Sequence, residues 1–295
     1  MPLANTLIKA GALAGSLLFG VRSLAAQTAA DSLLAVERGV SDASGRSGFA
    51  PAIAAALAGD GAVLWPGAPV VHGADAVGRL LGAQRLLDTL RISWQPLGVQ
   101  VARDASLGVT WGVAAAARDG GPTRIGRYIA AWRREGGAWR LAAFAALGIS
   151  PAASSTVTAD MGPAMLPPLP SSGPAAAFIA TDLAFARLAG DSTAALAFER
   201  FAAPQAVTFG GGILNHGPAA IRRTLEGGRP SAWSWHPVLA GTAGSGDLGF
   251  TVGESVIREA GSPPSYGKYL TIWTRLPDGS VRFLTDGGNA RPAAP

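Results

Sequence analysis

The residues best suited to chemistry in this chain are two histidines, one aspartate and a set of aromatic rings. His72 and His216 are two of only three histidines, and each directly precedes a glycine, as His72-Gly73 and His216-Gly217. Histidine exchanges a proton near neutral pH and ligates metals. A place at a turn into a helix equally suits a hydrogen bond to loop backbone, and no second histidine or carboxylate recurs beside either one at ligand spacing. Asp286 stands in Thr285-Asp286-Gly287-Gly288-Asn289, near the end of the last extended segment. It is either a surface or turn-capping aspartate or, facing an apolar hollow, a carboxyl whose pKa burial raises into the range of a general acid or base. Lys268 and Glu254 lie on neighbouring extended segments, where they complete a polar cluster with Asp286 or simply pair with each other across strands.

The rings are Trp65, Trp94, Tyr128 and Trp132 in the first half and Phe209, Trp235, Tyr269 and Trp273 in the second. Only one parity of strand residues faces any pocket. Amphipathic rings suit an apolar ligand site, and they suit a sheet-to-sheet interface just as well. Gly210-Gly211-Gly212 lacks the strand and helix context of a dinucleotide fingerprint. No Ser-His-acid set has recognisable local geometry. The chain has no cysteine, which excludes disulfides, thiolate metal sites and a cysteine nucleophile. No cofactor and no metal site is expected.

These residues need elements to position them, and composition bounds what those are. A chain of 295 residues has room for two cores, and a hydrophobic fraction of 48% fills them. Two of the 24 bases, Lys9 and Arg22, fall in residues 1–26, so the remainder carries 22 bases against 19 acids. The high pI reflects arginine, which does not titrate in the ordinary range. With no run rich in Lys and Arg, nucleic acid is not an expected partner. Residues 1–26 read as an export signal: Lys9, an apolar run from Ala10 to Val21, and the small-residue pattern Ser23-Leu24-Ala25. The expected location is periplasmic or secreted, with no membrane contact after cleavage.

The rest of the chain is one pattern written twice. Ala62-Val63-Leu64-Trp65 through His72-Gly73 parallels Ala206-Val207-Thr208-Phe209 through His216-Gly217. Trp94-Gln95-Pro96 parallels Trp235-His236-Pro237, and Leu107-Gly108-Val109-Thr110-Trp111-Gly112 parallels Leu248-Gly249-Phe250-Thr251-Val252-Gly253. Gly126-Arg127-Tyr128 with Trp132 returns as Gly267-Lys268-Tyr269 with Trp273. The expected units are residues 27–149 and 175–290, joined by a Pro/Ser/Ala-rich linker over 150–174 and followed by a short tail, 291–295. In each unit the spacing predicts helices first (32–43, 50–58 and 75–83 in the first), then a short strand over 62–65 and four long ones. Those run over 91–103, 106–118, 124–135 and 138–147, and over 233–243, 247–259, 266–276 and 280–286 in the second copy. Helices followed by hairpins imply an α+β fold: two tandem cone-shaped modules, each a curved, mainly antiparallel sheet with about three helices packed on one face.

With those residues in view, the chain resembles the nuclear transport factor 2-like superfamily, in particular its SnoaL-like branch of small exported modules. The motifs that carry the resemblance are the helix pair, the His-Gly helix starts, the Leu-Gly-x-Thr-x-Gly strands, and Gly-Arg-Tyr or Gly-Lys-Tyr before a tryptophan. The resemblance implies a helix-covered hollow but no single activity, since the superfamily spans isomerases, cyclases, dehydratases, hydrolases and binders. Its steroid-isomerase branch places an aspartate base before a proline at the end of the first strand; Trp65 and Phe209 stand there and cannot accept a proton. Its enzymes often keep a cavity carboxylate where Asp286 stands and where the first copy has Phe144. Members pair through their sheets, so the two modules are expected to pair as a pseudo-dimer within the chain. The expected function is binding of a small, largely apolar molecule in the module cavities, with Trp65, His72, Trp94, Tyr128, Trp132, Phe209, Trp235, Lys268 and Trp273 as candidate contacts. The alternative is a cofactor-independent isomerase, lyase or hydrolase using Asp286 with His216 or Tyr269. A scaffold with filled cavities is the third possibility.

Overall fold

The computed structural model describes residues 9–118, 121–148, 164–165, 176–210, 213–227 and 231–293. The first module opens with helices α1 (Lys9–Ser47) and α2 (Phe49–Ala56), followed by strands β1 (Leu57–Leu64) and β2 (Val71–His72) and helix α3 (Ala74–Gly82). After a 3-10 turn, Arg85–Thr89, come β3 (Arg91–Val101), β4 (Leu107–Ala117), β5 (Arg124–Glu135) and β6 (Ala138–Leu147). Within the expected linker, Ala164–Met165 forms β7. The second module repeats the order as α4 (Ala176–Asp191), α5 (Ala194–Phe201), β8 (Ala202–Gly210), β9 (Ile213–His216) and α6 (Gly217–Glu226). Strands β10 (Ser231–Thr242), β11 (Leu248–Glu259), β12 (Ser265–Arg275) and β13 (Val281–Ala290) complete it.

Each module is one sheet, ordered β2-β1-β6-β5-β4-β3-β7 and β10-β11-β12-β13-β8-β9. The long strands form antiparallel hairpins, while β1 beside β6 and β8 beside β13 run parallel. The expected α+β architecture of two tandem helix-backed sheets is what the chain adopts. The first helix is longer than its apolar spacing suggested, running unbroken to Ser47 through the small-residue pattern at 23–25. Among the described residues, no helix is long and apolar enough to cross a membrane. The last strand is longer too: two glycines and an asparagine read as a turn, yet β13 continues through them to Ala290. Glycine inside a strand marks a close approach of other groups, and a Cβ on Gly287 would sit 2.7 Å from Leu147 Cδ1 of the first module.

Local chemistry sets the helix ends. Thr193 caps α5 by accepting from the Leu196 N–H at 3.1 Å, satisfying one of the donors a helix start leaves free. Pro218 stands in the first turn of α6, where its missing N–H costs nothing. The repeated Leu-Gly-x-Thr-x-Gly strands are explained by contact. A Cβ on Gly249 would lie 2.6 Å from the Phe178 ring of α4, and one on Gly253 would lie 2.2 Å from the Tyr269 hydroxyl. The first glycine lets the helix settle on the sheet; the second admits the backbone of the neighbouring strand, the Gln95 or His236 carbonyl, and in the second module the Tyr269 hydroxyl as well.

The outer faces of the two sheets share one core. Ile129, Ala131, Ala143 and Ala145 of the first module cluster with Val252, Leu270, Ile272 and Leu284 of the second. Polar clasps flank it. Asn289 Nδ2 donates to the Leu64 carbonyl at 2.8 Å and the Ala146 carbonyl at 2.7 Å. The turns before β4 and β11 exchange bonds, Ser245 N–H to Asp104 at 2.7 Å and Arg103 N–H to the buried Asp247 at 3.1 Å. Asn289→Ala strips both carbonyls of their donor, an effect of about 1–3 kcal/mol when such groups stay dry. A clear fall in the urea midpoint of unfolding is the expected outcome; an unchanged midpoint means that this clasp does not hold the modules.

Candidate functional site

The registers of the two sheets show how the modules diverged. Val63 pairs with Phe144, and Thr208 pairs with Asp286; Phe144 pairs with Ala130, and Asp286 with Thr271. Thr208 is therefore the counterpart of Val63, 145 positions on, whereas Tyr269 follows Tyr128 by 141. This corrects the ungapped match of Trp65 with Phe209: Gly210 takes the register place of Trp65, and Phe209 that of Leu64. A slip of one residue exchanges the two faces of a strand, so the difference decides what fills each hollow.

In the first module the hollow is packed. Phe49, the first residue of α2, lies 5.2 Å from the Trp65 ring, 5.9 Å from Trp94 and 5.8 Å from Phe144. Phe144 in turn stacks on Tyr128 at 5.9 Å. Trp94, Tyr128 and Trp132 are buried in this cluster and Trp65 packs on its edge. In this structure these rings pack against one another as part of the first module's core. His72 is exposed on the two-residue strand β2.

In the second module the three counterparts of Phe49, Trp65 and Phe144 are Ala194, Gly210 and Asp286. Of these three, Asp286 lines a half-open cavity of about 410 Å³. Its walls include Phe185, Phe198, Phe209, Trp233, Trp235 and Tyr269, with Asp286 among them. Asp286 is half-buried. Its Oδ2 accepts from the Thr271 hydroxyl at 2.5 Å. The low polarity around it pushes its pKa up to about 7, and the neighbouring charge of Asp182 adds to the rise while Thr271 opposes it.

Asp182 is a buried acid beside the cavity that the sequence does not announce. It projects from α4, is fully buried, and accepts from Trp235 Nε1 and from the Tyr269 hydroxyl, each at 2.9 Å. Burial raises its pKa, with Thr251, Tyr269 and Trp235 pulling against that rise. Tyr269 is held far above the ordinary phenol range by burial and by the Asp182 charge, so it remains a neutral donor. The first module repeats the device with Glu37 on α1, which accepts from the Thr110 hydroxyl at 2.9 Å. Tyr128 and Trp94 lie beside Glu37, but its Oε2, the Tyr128 hydroxyl and the Trp94 indole nitrogen lack bonding geometry. Burial pushes Glu37 up to about 7. Both acids stand four residues after a buried leucine or ring of their helix, Leu33 and Phe178. A carboxylate recurring on the apolar stripe was the available signal.

The remaining candidates separate. Phe209 lines the cavity and carries the Arg127 guanidinium of the first module 5.9 Å from its ring centroid. Lys268 belongs to the wall, but strand alternation sets it on the face opposite Tyr269. Its Nζ donates to the Ala290 carbonyl at 2.8 Å, and burial with Arg291 nearby lowers its pKa to about 8. It pairs in register with Glu254, which takes Arg291 at 3.1 Å. Trp273 lies fully buried beneath the site and donates to Thr251 at 2.7 Å. His216, proposed as a partner of Asp286, is exposed at the start of α6 and outside the lining. The alternation of β9 turns Asn215 inward instead, where it receives the Thr224 hydroxyl at 2.7 Å. Among the described residues, no group of three or more His, Asp or Glu could hold a metal ion.

No protein-family model matches the chain, and no curated protein matches it. Among solved structures it is similar to a nuclear transport factor 2-like protein with a cystatin-like fold from Novosphingobium aromaticivorans, at 18% identity over 39% of this chain and 80% of that one, TM-score 0.32. It is similar to a ketosteroid isomerase-like protein from Erwinia carotovora atroseptica, at 22% identity over 40% and 97% of the two chains, TM-score 0.32. A nuclear transport factor 2-like protein of unknown function from Pseudomonas putida matches at 16% identity over 41% and 87%, TM-score 0.35. Each likeness spans about the length of one module and concerns the fold alone.

A carboxyl whose folded pKa lies above its unfolded value binds extra protons when folded. Asp286 therefore contributes stability that is full below about pH 4 and lost as pH rises through about 7. Asp286→Asn is expected to flatten this part of the pH profile, raising the urea midpoint at pH 8 more than at pH 4. A carbon-13 titration of the wild-type carboxyl should centre near 7 and move down in Asp182→Asn. An Asp286 midpoint near the ordinary 4 would refute the assignment.

Proposed function

We propose that this chain binds a small, largely apolar molecule in the second module and that the first module serves as its scaffold. The observation that supports this reading most is the pairing of one ring-walled cavity with one packed hollow in otherwise matching modules. Cavities of a few hundred cubic ångströms, mostly apolar with a few placed polar groups, are the usual form of small-molecule sites. The reading includes export: cleavage after Ala25 would leave α1 to begin near Gln27, just before its first buried residues, Ala29 and Ala30.

A second reading is favoured by Asp286 itself. A carboxyl on the wall with a pKa of about 7 can give or take a proton at neutral pH, which suits a cofactor-independent isomerase, lyase or hydrolase. Tyr269, neutral and fixed by Asp182, would act as a hydrogen-bonding or electrostatic partner near the same wall. Asp286→Asn would then lower turnover of an accepted substrate by about 10²–10⁴.

Binding is tested by stoichiometry. Nile red, a neutral apolar dye, is expected to saturate at one per chain. Filling the cavity with the ring that the first module carries at the wall position, Asp286→Phe, should abolish that binding. The reverse exchange in the first module, Phe49→Ala with Phe144→Asp, should raise it toward two. Unaltered dye binding in the filled variant, shown by its urea midpoint to be folded, would refute the site.

A further inference from the structure

The charges around the cavity say more about its occupant than its volume does. Two carboxyls serve this hollow: Asp286 on the wall and Asp182 behind Tyr269 and Trp235. Both are met by neutral donors only, a hydroxyl in one case and a phenol and an indole in the other. Among the described residues no ion pair reaches either one. The nearby cations are committed elsewhere. Lys268 is turned to the Ala290 carbonyl, Arg291 is bound to Glu254 and lies over the Tyr266 ring, and Arg127 lies over Phe209. His236 is exposed on the other face of β10 from Trp235. Oδ2 of Asp286 takes Thr271, and among the described residues no donor is bonded to Oδ1.

The walls match this charge pattern. Seven aromatic side chains line the cavity together with a carboxyl that has no ion pair, and ring faces are negative surfaces that attract cations, most strongly where water is scarce. A neutral ligand would leave the Asp286 charge uncompensated, and an anionic one would oppose both acids. Resting on the binding role of the second module, we infer that the natural ligand is a cation: a protonated or quaternary amine on an apolar body, its nitrogen against Asp286 and its methyl or methylene groups on the rings of Trp235, Phe198 and their neighbours.

Such a ligand would favour the ionised form of Asp286. For an ammonium of permanent charge, affinity should therefore rise with pH through about 7. The titratable groups that bear on this site are Asp182 on α4, Tyr269 and Lys268 on β12 and His236 on β10. Tyr269 stays neutral across the range, and loss of the Lys268 charge near 8 would act in the same direction as ionisation of Asp286.

The test compares trimethyl(2-phenylethyl)ammonium with its neutral carbon isostere, (3,3-dimethylbutyl)benzene, by displacement of Nile red from the full chain. At about pH 8.5 the ammonium should bind at least about tenfold more tightly than the isostere, and it should weaken about tenfold on going to about pH 5.5. The isostere should not respond to pH, and Asp286→Asn should erase the difference between the two probes. Equal or tighter binding of the isostere in the wild type would overturn the cationic ligand while leaving the apolar binding site intact. Failure of both probes to displace the dye would overturn the two together. The pH comparison uses wild-type protein, so the outcome does not depend on a variant folding.

Discussion

A carboxyl carried by a helix into the hollow of a sheet has to find donors there, because an unmatched buried charge is too costly to keep. In both modules that requirement falls on the same three strands. Thr110 or Thr251 comes from the second long strand, Tyr128 or Tyr269 from the third, and Trp94 or Trp235 from the first; Tyr269 and Trp235 bond Asp182, while Thr110 bonds Glu37 with Tyr128 and Trp94 beside it. Trp132 and Trp273 support the set from below by donating to the threonine hydroxyls at 3.2 and 2.7 Å. The acid thus orients helix and sheet toward one another at the point where the cone is deepest. Using only neutral donors also keeps the acid's affinity for a proton high and leaves its field unspent inside the hollow.

The two modules then part over volume, not over framework. Phe49, Trp65 and Phe144 converge in one and are a methyl group, a glycine and a carboxyl in the other. Aromatic weight was moved rather than removed. Val40, Ile53 and Leu141 of the first module correspond to Phe185, Phe198 and Phe283 of the second, which form their own ring cluster with centroids 4.8 to 5.8 Å apart. That cluster keeps the second core rigid while its mouth stays open. The shared core between the sheets lets the packed module lend stability to the hollow one, since burying apolar surface there does not depend on what either cone contains.

Much of this fold was legible because the repeat pairs motifs that each have a physical cause: glycines that admit a helix or a tyrosine, threonines that serve an acid, a proline at a helix start. The four long strands and the helix order follow directly from alternation and spacing. One feature was hidden by a missing residue of register. An ungapped match sets Trp65 against Phe209, so the loss of a ring at Gly210 does not show. The acids were hidden for a different reason: one is glutamate and the other aspartate, on helices with little else in common. Asp286 was visible, but Gly287-Gly288-Asn289 disguised its place in the strand. Gly287 is small because Leu147 and Ile129 of the first module press on it, and Gly288 because the Lys268 backbone of the adjacent strand does, long-range contacts that no local pattern encodes.

The position of Asp286 shows why opening the cone and charging it are one event. A carboxyl at the site of Phe144, with Phe49 and Trp65 still in place, would be sealed among rings with Thr271 as its sole partner. A cavity without that carboxyl would be a plain apolar void. In the second module the half-buried carboxyl stands on the wall of an open cavity. Asp182 behind it has no such opening, because Trp235 and Tyr269 enclose it completely. Asp182 is enclosed and Asp286 half-buried on the wall, so of the two carboxyls it is Asp286 that stands open to the cavity.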